Sequence, residues 1–292
     1  MFPGHDPDFL QREYGSDNFL RLRQETHDQY SVPRVDFPNW VLDRVNWRGD
    51  ERVLDVGAGH GSYYERIQER LPTIHYFGLD RSPGMLEKHA AKGKLPIGDA
   101  QQLPFKSNAF DVVMANHMLY HVPDIQHALD EFRRILKPDG ILLTATNSLQ
   151  TMPEFNALFR RAIMLLSAPG NIYTQPPAPI HNPFALENGT RVLARQFYAV
   201  VRHDLPQALV FDNVEPAIAY LESWRPLREA QLPRDVAWED VMLVMREQIA
   251  RVINHFGELV VNKISGVLIA SDAGGFIRGF VEKSSHVNGR FR

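Results

Sequence analysis

The 292-residue chain has no cysteine. That absence removes a disulfide framework, a thiolate-held zinc or iron–sulfur site, and a cysteine nucleophile. A surplus of one charge is missing too: 32 Lys and Arg face 35 Asp and Glu, for a formal charge of −3. Without a global basic field for a phosphate backbone, nucleic acid is not the expected partner. No apolar run approaches the ~20 residues of a membrane span, so no membrane association is expected. The first ten residues, MFPGHDPDFL, are polar and broken by proline, unlike a signal peptide. A cytoplasmic protein is the resulting expectation. What the chain does have is 44% hydrophobic residues. That is enough to bury a sizeable core, and it excludes intrinsic disorder.

Four stretches differ in texture. Residues 1–50 read as a polar-rich helical cap, with Phe9, Tyr14, Phe19, Tyr30 and Phe37 at irregular intervals and Pro38 opening a short helix. Residues 51–147 alternate short apolar strands with amphipathic helices, the pattern of a parallel α/β sheet. Strands are expected at 53–56, 74–79, 95–97, 110–116 and 141–146. Helices are expected at 62–71 and 83–92, and after Asp124 as a cap. Residues 148–257 read as a helical, Pro-rich lid and substrate region, with a sheet strand near 198–205 and a long helix over 235–256. Residues 258–292 read as a terminal hairpin around Ser265-Gly266, followed by a Gly-rich tail.

The most informative stretch is Val53-Leu54-Asp55-Val56-Gly57-Ala58-Gly59-His60-Gly61-Ser62. A strand running into a glycine turn and then a helix brings backbone close to a ligand at the strand C-termini of an α/β sheet. The spacing is G-x-G-x-G, whereas the dinucleotide fingerprint would need its third glycine at Ser62. No Gly-Lys-Ser/Thr follows, which excludes a Walker-type phosphate loop. Asp55 at the strand end can receive an ammonium group and would repel a pyrophosphate. Asp80, at the second strand end, can accept from two ribose hydroxyls. Asp99, after Gly98, is placed to accept from an adenine amino group. Together these acceptors describe a ligand with an amino-acid end and an adenosine end. The competing reading is that Asp80 and Asp99 only hold turns.

With VLDVGAGHGSY at 53–63, GLD at 78–80, GDAQQLPF at 98–105, FDVVMANHMLYHV at 110–122 and RRILKPDG at 133–140, the chain resembles the class I S-adenosylmethionine-dependent methyltransferases. It is similar in particular to the small-molecule group called methyltransferase type 11, over about residues 51–147. The resemblance implies a Rossmann-like, doubly wound, mostly parallel seven-stranded sheet with a C-terminal antiparallel hairpin and a helical lid. It implies S-adenosyl-L-methionine as cofactor. Asp55, Gly57, Ala58 and Gly59 would line its methionine portion, Asp80 would hold the ribose, and Asp99 with Ala100 the adenine. The Arg81 stem could cover the adenine face. Asn116 and His117 would face the sulfonium and the acceptor.

His117 and His121 are the candidate catalytic residues, since an imidazole with a pKa near ~6.5 can serve as general base. Their spacing would suit a metal pair on a helix, but no third ligand is in register and no metal is expected. Asn182-Pro183-Phe184 looks like the signature of base-modifying amino methyltransferases, but it lies in the Pro-rich stretch and is read as a decoy. The acceptor is expected to be a small molecule. An RNA or protein methyltransferase, or a non-catalytic cofactor-binding protein, remains an alternative.

Overall fold

The computed structural model describes residues 18–91, 95–167 and 182–273. Phe9, Tyr14, Tyr173, the prolines at 169–179 and the Gly-rich tail from 274 lie outside the described residues. In chain order the elements are α1 (Asn18–Tyr30), β1 (Ser31–Val32), α2 (Phe37–Leu42), β2 (Arg52–Val56), α3 (Ser62–Arg70) and β3 (His75–Leu79). There follow α4 (Pro83–Leu86), β4 (Phe110–Met114), α5 (Ile125–Ile135), β5 (Leu136–Asn147), α6 (Pro153–Leu166) and α7 (Leu186–Leu193). The last are β6 (Ala199–Phe211), α8 (Val214–Glu222), α9 (Arg225–Arg228), α10 (Trp238–Phe256) and β7 (Leu259–Ser271).

The strands form one mixed sheet in the order β1-β6-β7-β5-β4-β2-β3. β2 pairs in parallel with β3 and β4, and β4 with β5, while β1 meets β6 antiparallel. Val53, Leu54, Val56, Val113 and Met114 are all buried. Such predominantly apolar strands, interrupted in β2 only by Asp55, are what burial on both faces requires.

The chain divides into two compact units that interleave in sequence. The first takes residues up to Trp40, Ser148–Asn182 and Leu205–Ser265; the second takes Val41–Asn147, Pro183–Asp204 and the chain from Gly266. The second unit contains β2 to β5 and the glycine turn. The first has a core of its own, built from Phe155 and Phe159 of α6, Tyr220 and Leu221 of α8, and Trp238, Met242 and Met245 of α10. Its N-terminal segment is tied down by Lys263, which donates to Ser31 Oγ at 2.7 Å, and by Gln207, which donates to the Pro33 carbonyl at 2.8 Å.

Four local expectations need correction. The expected C-terminal hairpin is one continuous strand, β7. Gly266 lies within it because a Cβ there would stand 2.5 Å from the His203 carbonyl. Close backbone approach is the other use of a strand glycine. The expected strand at 95–97 is only a single bridge, Asp80 to Ile97, because Ile97 is 62% exposed and has no apolar face to bury. The helix expected over 83–92 ends at Leu86. His89 turns inward, and its Nδ1 accepts from the Ala91 N–H at 3.0 Å, a local bond that competes with helix continuation. The strand near 198–205 runs on to Phe211. Arg202 and Asp204 hide it in sequence as a charged break; they pair with each other at 2.6 Å at the surface.

Candidate cofactor and active site

The glycine turn after β2 is held from two sides. The N–H groups of Gly57 and Ala58 both donate to the Leu79 carbonyl, at 2.8 and 3.0 Å. The Gly59 N–H donates to Asp80 Oδ2 at 2.8 Å. Gly57, Gly59 and Gly61 have φ of 73°, 57° and 97°, the left-handed region that disfavours a Cβ. A Cβ on Gly57 would lie 2.9 Å from Met118 Cβ, whereas one on Gly59 would meet nothing within 4 Å. So Gly57 is required by protein packing, and Gly59 opens onto space a ligand can fill. Gly57→Ala is expected to lower the unfolding free energy by about 1–3 kcal/mol. A denaturant titration with an unchanged midpoint would contradict that.

Asp80 also accepts from the Ser82 N–H at 2.8 Å, through Oδ1. Burial pushes its carboxyl up, against the three backbone N–H groups that stabilise the anion. Asp99 Oδ1 accepts from the N–H of Gln101 at 2.9 Å and from its side chain at 3.2 Å. Both aspartates therefore hold turns, as the competing reading supposed. Each still has acceptor capacity, since a carboxylate offers about four lone-pair sites. Ala100 is buried beside Asp99, and Arg81 is exposed beside Asp80.

Asp55 is 2% exposed and sits between Gly78 and Met114 in the parallel register. Burial raises its carboxyl to about 7, against the hydrogen bond from Tyr76 and with the nearby Asp80 adding to the rise. The Tyr76 hydroxyl donates to Asp55 Oδ2 at 3.0 Å and lies 3.4 Å from His89 Nε2. The His89 ring in turn packs 3.0 Å from where a Gly61 Cβ would be. Tyr76 and His89 escaped the sequence reading. Tyr76 reads there as one more apolar strand residue, and His89 as one side of a longer helix.

At the end of β4 a reciprocal pair of bonds fixes the next two residues. Asn116 Oδ1 accepts from the Ala145 N–H at 2.9 Å, and the His117 N–H donates to the Ala145 carbonyl at 2.9 Å. Asn116 is buried, yet among the described residues its Nδ2 finds no acceptor. A buried amide donor of this kind calls for a bound partner or a functional role. His117 has φ 54°, a strained setting for a non-glycine residue. Burial lowers its imidazole to about 4. His121 closes the short 3-10 turn Leu119–His121, with its ring edge-on to Tyr120 at 4.4 Å.

Of the sequence candidates, the second unit therefore gathers Asp55, the glycine turn, Asp80 and Asp99 at successive strand ends, with Asn116 and His117 following β4. Among the described residues no group of three metal-ligating side chains occurs. Phe184 of the Asn-Pro-Phe decoy is buried, and its carbonyl accepts from Thr146 Oγ1 at 2.8 Å.

A glycine turn with an open face, acidic acceptors at neighbouring strand ends and an orphaned amide after β4 form, on a class I methyltransferase fold, a candidate site for S-adenosylmethionine. The residues fit that cofactor: the carboxylates match its ammonium and hydroxyl donors, and Asn116 Nδ2 awaits an acceptor. The family model described as "Methyltransferase domain" matches residues 54–144. A demethylmenaquinone methyltransferase of Staphylococcus aureus is 35% identical over 126 residues, which cover 41% of this chain and 52% of that protein. The chain thus spans about half the length of the curated relatives it matches. Among solved structures, a provisionally assigned methyltransferase of Bacillus halodurans shares the fold, with TM-score 0.53 and 16% identity over 80% of this chain and 98% of that one. So does a phosphoethanolamine N-methyltransferase of Haemonchus contortus, solved with S-adenosylhomocysteine. It has TM-score 0.54 and 15% identity over 91% of this chain and 60% of that one.

Proposed function

We propose that the protein transfers a methyl group from S-adenosylmethionine to a small-molecule acceptor. The observation that carries the reading is the buried Asn116 amide, whose Nδ2 has no acceptor, in the segment that Met118 ties to the glycine turn. When bound, the cofactor supplies an electrophilic methyl on a sulfonium, so the protein's work is alignment and exclusion of water. Asp80 and Asp99 would orient the nucleoside end, and Asp55 with the glycine turn the amino-acid end. Asn116 and His117, held rigidly by Ala145, would face the acceptor. The described residues contain no helix long and apolar enough to cross a membrane. The small-molecule acceptor named for the Staphylococcus aureus relative supports the same class.

With its imidazole lowered to about 4, His117 is neutral at physiological pH and can act as a proton acceptor, a weak one. His117→Ala is expected to cut turnover by about 10²-fold while leaving affinity for S-adenosylhomocysteine within a factor of about two. Equal losses in both would argue against a proton-accepting role. For the reading as a whole, calorimetry of the wild-type protein with S-adenosylmethionine and S-adenosylhomocysteine is the test, and absence of binding to either would overturn it.

A further inference from the structure

Arg228, at the end of α9 in the first unit, is the one described arginine whose guanidinium is pushed well below its usual range, though it stays charged at neutral pH. Burial, with Arg160 as a like-charged neighbour, lowers its guanidinium to about 10. No carboxylate among the described residues pairs with it. Its Nη2 donates to Asn156 Oδ1 at 2.7 Å, but its buried Nε has no acceptor among the described residues. The guanidinium carbon lies 5.1 Å from the Trp224 ring centroid and 5.6 Å from that of Phe159. Cation–π contacts of this kind hold the group in place, but they do not neutralise it or satisfy its in-plane donors.

An ion taken out of water without a counter-charge is costly, and proteins ordinarily pair or neutralise it. Half-buried Arg134 meets Glu131 at 2.6 Å and Lys137 meets Asp111 at 2.8 Å, whereas the buried Lys263 is met by the Ser31 hydroxyl at 2.7 Å. Arg228 as a whole is half-buried, although its Nε is shielded from solvent. One turn further on, Gln231 leaves its buried Oε1 without a donor. A charged donor and a neutral acceptor, both unmet, stand on consecutive turns beside aromatic rings.

We infer that Arg228 is the anchor of an anion-binding site, and that its ligand is a planar carboxylate on an aromatic or otherwise flat apolar body. The guanidinium fork matches a carboxylate in geometry and charge. The half-buried Trp224 suits a flat apolar body, and a hydroxyl or N–H on that body would meet Gln231. Under the methyl-transfer reading, on which this assignment of role rests, the bound carboxylate is the acceptor. The binding site itself stands without it.

The test is direct binding by the full-length protein, followed by Trp fluorescence and calorimetry, with benzoate, 4-hydroxybenzoate and indole-3-acetate as probes. Each is compared with its neutral amide. The wild type is expected to prefer at least one acid over its amide by about tenfold or more, and Arg228→Gln to erase that preference, each tenfold being about 1.4 kcal/mol. Arg228→Lys, which keeps the charge and loses the fork, is expected to retain part of it. S-adenosylhomocysteine affinity should be unchanged in both variants, which shows that each is folded. The inference is overturned if no acid binds, if acids and amides bind equally, if phenyl phosphate outcompetes every acid, or if Arg228→Gln keeps the wild-type preference. Failure of the wild type to bind S-adenosylhomocysteine would sink the methyl-transfer reading alone, with thermal melting then reporting the fold of the variants.

Discussion

Asp80→Ala is expected to weaken S-adenosylhomocysteine binding by about 100-fold, or ~2.7 kcal/mol. Two losses add in that variant. The ligand would lose its carboxylate acceptor, and the Gly59 and Ser82 N–H groups would lose the oxygens that set the turn, at 2.8 Å each. A charge-assisted hydrogen bond is roughly twice as strong as a neutral one, so these are not minor contacts. Asp80→Asn keeps one acceptor oxygen but points an NH₂ group at the other N–H. It is expected to lie between the wild type and alanine, near a tenfold loss or ~1.4 kcal/mol. Calorimetry with the three proteins decides the matter, and an alanine variant within about threefold of the wild type would remove Asp80 from the site.

The second large effect concerns pH. With its carboxyl raised to about 7, Asp55 in the folded protein holds a proton that the unfolded chain has already lost above pH 3.8. Folding stability on its account is therefore greatest at low pH and falls as pH climbs to about 7. His117 acts in the opposite sense: lowered to about 4, it stays neutral while the unfolded chain takes up a proton below 6.5. Its contribution is lost as pH falls through that window. The two slopes oppose each other, so the wild type is expected to show a shallow profile between about pH 4 and 6.5. Asp55→Asn should expose the His117 slope, with stability rising steadily with pH over that range. At neutral pH it should also be more stable than the wild type by about 4 kcal/mol, at about 1.4 kcal/mol per pKa unit.

The same carboxyl links pH to ligand binding. An ammonium group brought against Asp55 draws its pKa down, so S-adenosylhomocysteine binding near pH 6 should release close to one proton. Affinity should then rise by up to about tenfold per pH unit from 5 to 7. Calorimetry in buffers of different ionisation enthalpy measures the proton count. A count of zero in the wild type, or the same count in Asp55→Asn, would show that the amino-acid end of the ligand does not meet Asp55.

Much of the second unit was readable along the chain because its signals are local. Val53 to Val56 is apolar but for Asp55, Asp124 caps α5 through a bond from the His127 N–H at 3.0 Å, and the glycines follow a strand. Such features depend on neighbours a few residues away, and sequence order preserves them. Gly266 shows where the logic fails: a glycine between two apolar runs reads as a turn, but here it admits the His203 carbonyl from a distant part of the chain. Likewise, the charged Arg202-His203-Asp204 segment reads as a strand's end and is crossed by β6 because Arg202 and Asp204 satisfy each other at the surface.

The sequence by itself determined the alternation of strand and helix over 51–147, the glycine turn and the acidic residues at the strand ends, because backbone geometry and strand burial act over a few residues. Only the tertiary structure decided that Tyr76 and His89 back Asp55, that Asn116 keeps an unmet donor, and that Arg228 is half-buried with no carboxylate among the described residues against it. Each of those depends on which groups folding removes from water, and on what it brings against them from far along the chain. Desolvation and the partners that answer it are properties of the assembled interior, and no local pattern of residues encodes them.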